Sequence, residues 1–182
     1  VLLGISQGGA AAIRYAVAHP GRVSYLLLYG AYAQGRAKMG DADAERAQRA
    51  RIALTRSGWG QDNPVYRQLF TSRFIPGAKP EQIRWFNDLC KITATAQMAA
   101  RIMDFRLYTD ITDLLPQVSV PRLVLHARGD EAVTPAHCRL LAGRIPGATL
   151  VELDSRNHIL LETEPAWARF KEEVLAFTGR AA

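Results

Sequence analysis

Short, nearly unbroken apolar runs alternate with helix-period stretches at the two ends of the chain, whereas the middle shows the helix period alone. Val1-Leu2-Leu3 reads as the end of a buried strand, and the Ala-rich stretch from Gly8 to Ala18 reads as a helix stopped near His19-Pro20-Gly21. Residues 23–29 (VSYLLLY) form a second apolar run, too short for a typical helix and bounded by glycines, as expected of a central parallel strand covered on both faces. Strand, helix, strand in that order implies a right-handed crossover.

From Gly35 to about Leu115 the pattern is helical. Residues 41–55 have an acidic start and a basic middle that complement a helix dipole, and Gly58, Gly60 and Asn63-Pro64 break that helix. A short helix is expected over residues 65–72, ended by Ile75-Pro76-Gly77. Another follows Pro80, which sits where a first-turn proline belongs, and a further one spans residues 95–106. After Leu114-Leu115-Pro116 the alternation resumes: strand 120–127, helix 135–145, strand 149–153 and a closing helix 164–178. The expected architecture is α/β, about four parallel strands with flanking helices. Residues 1–34 and 116–182 form the core, and 35–115 form an all-helical cap or, alternatively, a helical subdomain that only covers the sheet edge.

Composition narrows the functional classes. With 182 residues and 48% apolar content, the chain can bury one core of ordinary size. No run approaches the roughly 18 apolar residues of a membrane span, and the start has neither a charged leader nor a signal cleavage site, so a cytoplasmic protein without membrane attachment is expected. Cys90 and Cys138 lack ligand spacing and read as free thiols. The net charge of +6 invites a nucleic-acid reading, but the basic residues are interleaved with acidic ones and no recognition motif accompanies them, so direct nucleic-acid binding is not expected. The histidines are scattered, with no HxH or HExxH pair, so neither a metal nor another cofactor is expected.

The chemistry lies at the start of the chain. Gly4-Ile5-Ser6-Gln7-Gly8 joins a strand to a helix in the G-x-S-x-G pattern, where small neighbours allow a tight turn to present a serine hydroxyl. Gly4 and Gly8 are expected to meet the crowding of that turn, and Gly9 to relieve it further. The glycines lack the G-x-G-x-x-G spacing of a dinucleotide loop. Serine needs a base, and the base needs a carboxylate to set its tautomer. Asp130 follows one strand and His158 the next, so serine, acid and base occur in that order, each after its own strand. Glu131 competes with Asp130, and Asp154 is a loop residue close to His158. His19 is expected at the surface, His126 as a buried strand residue or a pocket wall, and His137 at a helix start. The Gln7 N–H is the candidate oxyanion donor. Trp59, Trp85, Phe86, Met98 and Met103 are candidates for an apolar substrate pocket.

Through Gly4-Ile5-Ser6-Gln7-Gly8-Gly9, His126-Ala127-Arg128-Gly129-Asp130 and Arg156-Asn157-His158, the sequence resembles the α/β-hydrolase superfamily over essentially its whole length, but only the second half of that fold. Residues 70–77 (FTSRFIPG) and 85–89 (WFNDL) are similar to hydrolase-like domains of bacterial proteins, some fused to DNA-binding or nucleotide-cyclase modules. The resemblance implies that Ser6 is the nucleophile, Asp130 the acid and His158 the base of a serine hydrolase acting on an ester-like bond, while the apolar candidate pocket residues point to a small, hydrophobic substrate. It also implies that earlier strands supply a second oxyanion donor. The first strand is then expected to expose an apolar edge, covered by an attached upstream domain or in a homodimer. The competing reading is a ligand-sensing or interaction module that binds without turnover.

Overall fold

The computed structural model describes residues 1–61 and 64–179. Asn63, read above as part of a helix break, lies outside the described residues. The chain divides into two compact units, Val1–Ala33 with Ile111–Ala182, and Gln34–Asp110.

The first unit is built on β1 (Leu2–Ile5), β2 (Leu26–Tyr29), β3 (Arg122–Ala127) and β4 (Thr149–Leu153), a parallel sheet in the order β1-β2-β3-β4. Side chains alternate between its faces, and the continuous apolar runs supply both. On one face Leu26, Leu28 and Val124 pack with Ala12, Ile13 and Ala16 of α1 (Gly8–Ala18) and with Cys138 and Leu141 of α6 (Pro135–Arg144). On the other, Leu27, Tyr29, Leu123 and Leu125 meet Ala166, Phe170, Val174 and Phe177 of α7 (Pro165–Thr178). Each fully buried leucine contributes about 1.5–3 kcal/mol of transfer free energy, so these central strands anchor the unit. β1 is paired on one side, with Leu3 opposite Leu27 and Ile5 opposite Tyr29, and both Leu3 and Ile5 are exposed.

Some boundaries differ from expectation. The strand expected from Val23 begins at Leu26, because the Val23 N–H donates to Pro20 O and closes a 3-10 turn first. The strand expected from Val120 begins at Arg122. Residues 111–115, read from sequence as the end of the helical insert, belong to the sheet unit, where Ile111 and Leu115 lie in the core.

The second unit contains α2 (Ala42–Gly58), α3 (Pro64–Phe74), α4 (Pro80–Thr93) and α5 (Ala96–Tyr108). Asp41 caps α2 by accepting from Ala44 N at 2.9 Å, and Thr95 caps α5 by accepting from Met98 N at 3.2 Å. Ile52 of α2 packs with Ala100 and Leu107 of α5. Among the described residues no helix is long and apolar enough to cross a membrane.

Candidate active site

Ser6 occupies the turn between β1 and α1 with φ of 53°, the left-handed region that costs a residue with a side chain about 1–2 kcal/mol. The turn is held on both sides: Ser6 N–H donates to Tyr29 O at 2.9 Å, and Gly9 N–H donates to Ser6 O at 3.0 Å. A Cβ on Gly4 would sit 2.8 Å from Gly9 Cα and 2.9 Å from Ala12 Cβ, and one on Gly9 would sit 2.5 Å from Ala31 Cβ. A Cβ on Gly8 would meet nothing within 4 Å. The close approach that lets α1 start against the sheet therefore depends on Gly4 and Gly9, and the expectation that Gly8 is crowded is corrected. Gln7 is the N-cap residue of α1 and is exposed.

Asp130 lies in the turn after β3 and is 3% exposed. Its Oδ1 accepts from Ala132 N at 2.8 Å and Val133 N at 2.9 Å, and its Oδ2 accepts from His158 Nδ1 at 2.6 Å. The two carboxylate oxygens thus divide the work, one closing the loop and the other holding the ring. Because a carboxylate only accepts, Nδ1 carries the proton and the neutral ring keeps its lone pair on Nε2. Glu131, the alternative acid, is exposed, as is Asp154.

The serine and the ring meet the sheet one strand apart. Gly30 follows β2 with φ of 55°, and a Cβ there would lie 3.0 Å from His158 Cε1, 3.2 Å from His158 Nδ1 and 3.8 Å from Asp130 Oδ2. Its neighbour Tyr29 is the residue whose carbonyl receives the Ser6 N–H. Gly30 was not singled out by sequence, although a glycine ending an apolar run was the available signal. Burial raises the Tyr29 phenol far above its ordinary range, assisted by Asp130 and Glu164, so it serves as a hydrogen-bond donor, to Asn157 O at 3.2 Å.

The remaining histidines separate clearly. His19 is exposed against Tyr15, and His137 is buried edge-on to Tyr32. His126 is buried in β3, with Nε2 2.9 Å from Val133 O and 3.9 Å from Asp130 Oδ2. Since a carbonyl only accepts, Nε2 donates and ties the acid loop to its strand.

Burial lowers the His126 pKa, with His158 adding to that effect, against the opposing pull of Asp130, the Val133 carbonyl and Glu152. The unfolded chain therefore takes up a proton near 6.5 while the folded ring stays neutral, so stability contributed by the neutral ring is lost as pH falls below about 6.5. His126→Gln can keep a donor to Val133 O but cannot titrate. A Tm measured from pH 8 to pH 5 should fall less steeply for this variant than for the wild type.

The candidate pocket residues fall in the helical unit. Trp59 Nε1 donates to Ala94 O at 2.7 Å, Phe86 is buried beside Phe74, and Met103 Sδ accepts from Thr55 Oγ1 at 3.3 Å. These three hold the unit together. Trp85 and Met98 are exposed, at 60% and 48%. Cys90 and Cys138 are free, with burial pushing their thiols up to about 11 and about 12, so neither is an activated nucleophile. Among the described residues no group of side chains could hold a metal ion.

Residues 1–169 match the alpha/beta hydrolase family. The chain belongs to that family. An esterase from Exiguobacterium antarcticum superposes with a TM-score of 0.82 at 23% identity, over 98% of this chain and 66% of that one. An enol-lactonase from Burkholderia xenovorans superposes at 0.76 and 22% identity, over 97% and 64%. The likeness to these structures is one of fold, and this family member spans about two thirds of their length. A rhodomycin D methylesterase of Streptomyces peucetius is 46% identical over 46 residues, which is 25% of this chain and 15% of that protein.

Proposed function

We propose that the protein hydrolyses an ester bond of a small, hydrophobic molecule through an acyl-enzyme formed on Ser6. Ser6 attacks the carbonyl carbon as His158 Nε2 takes its proton, and Asp130 stabilises the imidazolium that forms. The backbone N–H of Gln7, at the start of α1, donates to the developing oxyanion, where the helix dipole reinforces it. The protonated ring then delivers its proton to the leaving alkoxide. In the second half His158 deprotonates water, which attacks the acyl carbon and returns Ser6 to its hydroxyl form.

The observations that carry this reading are the buried 2.6 Å Asp130–His158 contact, the packing of the His158 ring against Gly30 after β2, and a serine held at positive φ after β1 whose N–H donates to Tyr29 O. Backbone strain of this kind clusters at functional sites, and here it falls on a serine in a strand-to-helix turn. The esterase and methylesterase names among the relatives favour an ester over other acyl bonds.

The test is covalent capture. A fluorophosphonate should label the full-length protein once, on the peptide containing Ser6, and a short-chain p-nitrophenyl ester should slow the labelling. Failure to label, together with saturable binding of an ester that is never cleaved, would replace this reading with that of a binding module.

A further inference from the structure

The segment between β4 and α7 that carries His158 contains no helix or strand, and a general base must nevertheless be held to a fraction of an ångström. The hydrogen bonds that hold it converge on one carboxylate. Glu164 Oε1 accepts from Leu161 N at 2.6 Å and from Asn157 Nδ2 at 3.2 Å, while Oε2 accepts from Ser155 Oγ at 2.5 Å. Two of these donors precede His158 in the chain and one follows it.

The bracket extends outward. Ser155 Oγ also accepts from Asn157 N at 2.9 Å, and the Ser155 carbonyl accepts from Gly129 N at 2.9 Å, which ties the histidine segment to the acid turn. Tyr29 OH fastens Asn157 O from β2. Glu164 is the N-cap residue of α7, yet its side chain makes no hydrogen bond to that helix, so helix capping does not explain it.

We propose that Glu164 is a positioning residue for His158, its carboxylate clamping the chain on both sides of the ring and thereby fixing the Nδ1–Asp130 contact. This inference rests on the reading of His158 as the general base. A merely structural carboxylate would, on removal, lower Tm and leave the ring's hydrogen bond and kcat alone. A clamp predicts that both change while substrate affinity does not.

The experiment compares the full-length wild type with Glu164→Ala and Glu164→Gln by NMR of the His158 Nδ1–H proton and ring nitrogens. In parallel it measures kcat and KM for p-nitrophenyl acetate, with Tm as a control. In Glu164→Ala the Nδ1–H resonance should move upfield or broaden, and kcat should fall about 10²-fold with KM within about twofold, the scale expected when a reacting group is misplaced by about an ångström. Glu164→Gln keeps an acceptor for Leu161 N but turns an amide NH₂ towards Ser155 Oγ, so both readouts should lie part-way between Glu164→Ala and the wild type.

A Glu164→Ala protein with the wild-type resonance and wild-type kcat overturns the proposal, whatever its Tm. Should that variant not fold, Glu164→Gln decides: a resonance moved part-way towards that of unclamped imidazole supports the clamp, and an unchanged one overturns it. A wild type that shows the Asp130-bonded resonance but cleaves no ester defeats the functional reading alone, and the NMR comparison still decides the role of Glu164.

Discussion

Replacing Ser6 by alanine is expected to lower kcat for p-nitrophenyl acetate about 10⁴- to 10⁶-fold, because the acyl group then has no oxygen to which it can transfer. Alanine and serine share the penalty of the left-handed region, so Tm should hardly change. Ser6→Gly should lose the same activity but gain roughly 1 kcal/mol, the relief of the φ of 53° less the added freedom of glycine in the unfolded chain. For a chain of 182 residues that gain raises Tm by about 2–4 °C. Loss of activity with a rise in stability would identify the strain at Ser6 as serving function. Ester hydrolysis by Ser6→Ala at a rate near wild type would remove the nucleophile from the proposal.

The parts of this arrangement that were legible in sequence are those written in local chemistry. Apolar runs of strand length followed by helix-period stretches announced the alternation, and buried parallel strands need no polar face to complicate the pattern. Asp130 and His158 could be located because each follows its own strand, and parallel strands end at one edge of their sheet. The helix starts at Pro80 and Pro135 were legible for a related reason, since a first-turn proline is a strictly local signal.

What was not legible depends on contacts between distant residues. Gly4, Gly8 and Gly9 look alike as letters, and only the approach of Ala31 and Ala12 separates the two that cannot bear a side chain from the one that can. Gly30 matters because His158, far along the chain, packs against it. Glu164 looks like a helix-start residue before Pro165 until its carboxylate is found on Ser155, Asn157 and Leu161. Trp59, Phe86 and Met103 show the opposite failure: aromatic and sulfur side chains at helical spacing suit a pocket wall and an internal packing surface equally, and here they pack within the helical unit.

Asp130→Asn is expected to cost about 10⁴-fold in kcat with little loss of stability, and the reason is geometric. Oδ1 receives two backbone N–H groups, from Ala132 and Val133, so an asparagine must keep its carbonyl oxygen there; its only other terminal atom is a donor. The amide NH₂ is thereby forced onto the Oδ2 position, 2.6 Å from His158 Nδ1 in the wild type. Two donors cannot face each other, so the neutral ring must present an unprotonated Nδ1 and carry its hydrogen on Nε2. A ring in that tautomer cannot take the Ser6 proton, although nothing has moved. Asp130→Ala behaves differently, because it leaves both buried amide donors without the acceptor they share, at a cost of about 1–3 kcal/mol each. That variant should lose Tm as well as activity. The ring nitrogens of His158, read by NMR, distinguish the two tautomers directly. An Asp130→Asn protein retaining more than about a tenth of the wild-type kcat would show that Asp130 does not set the tautomer of the base.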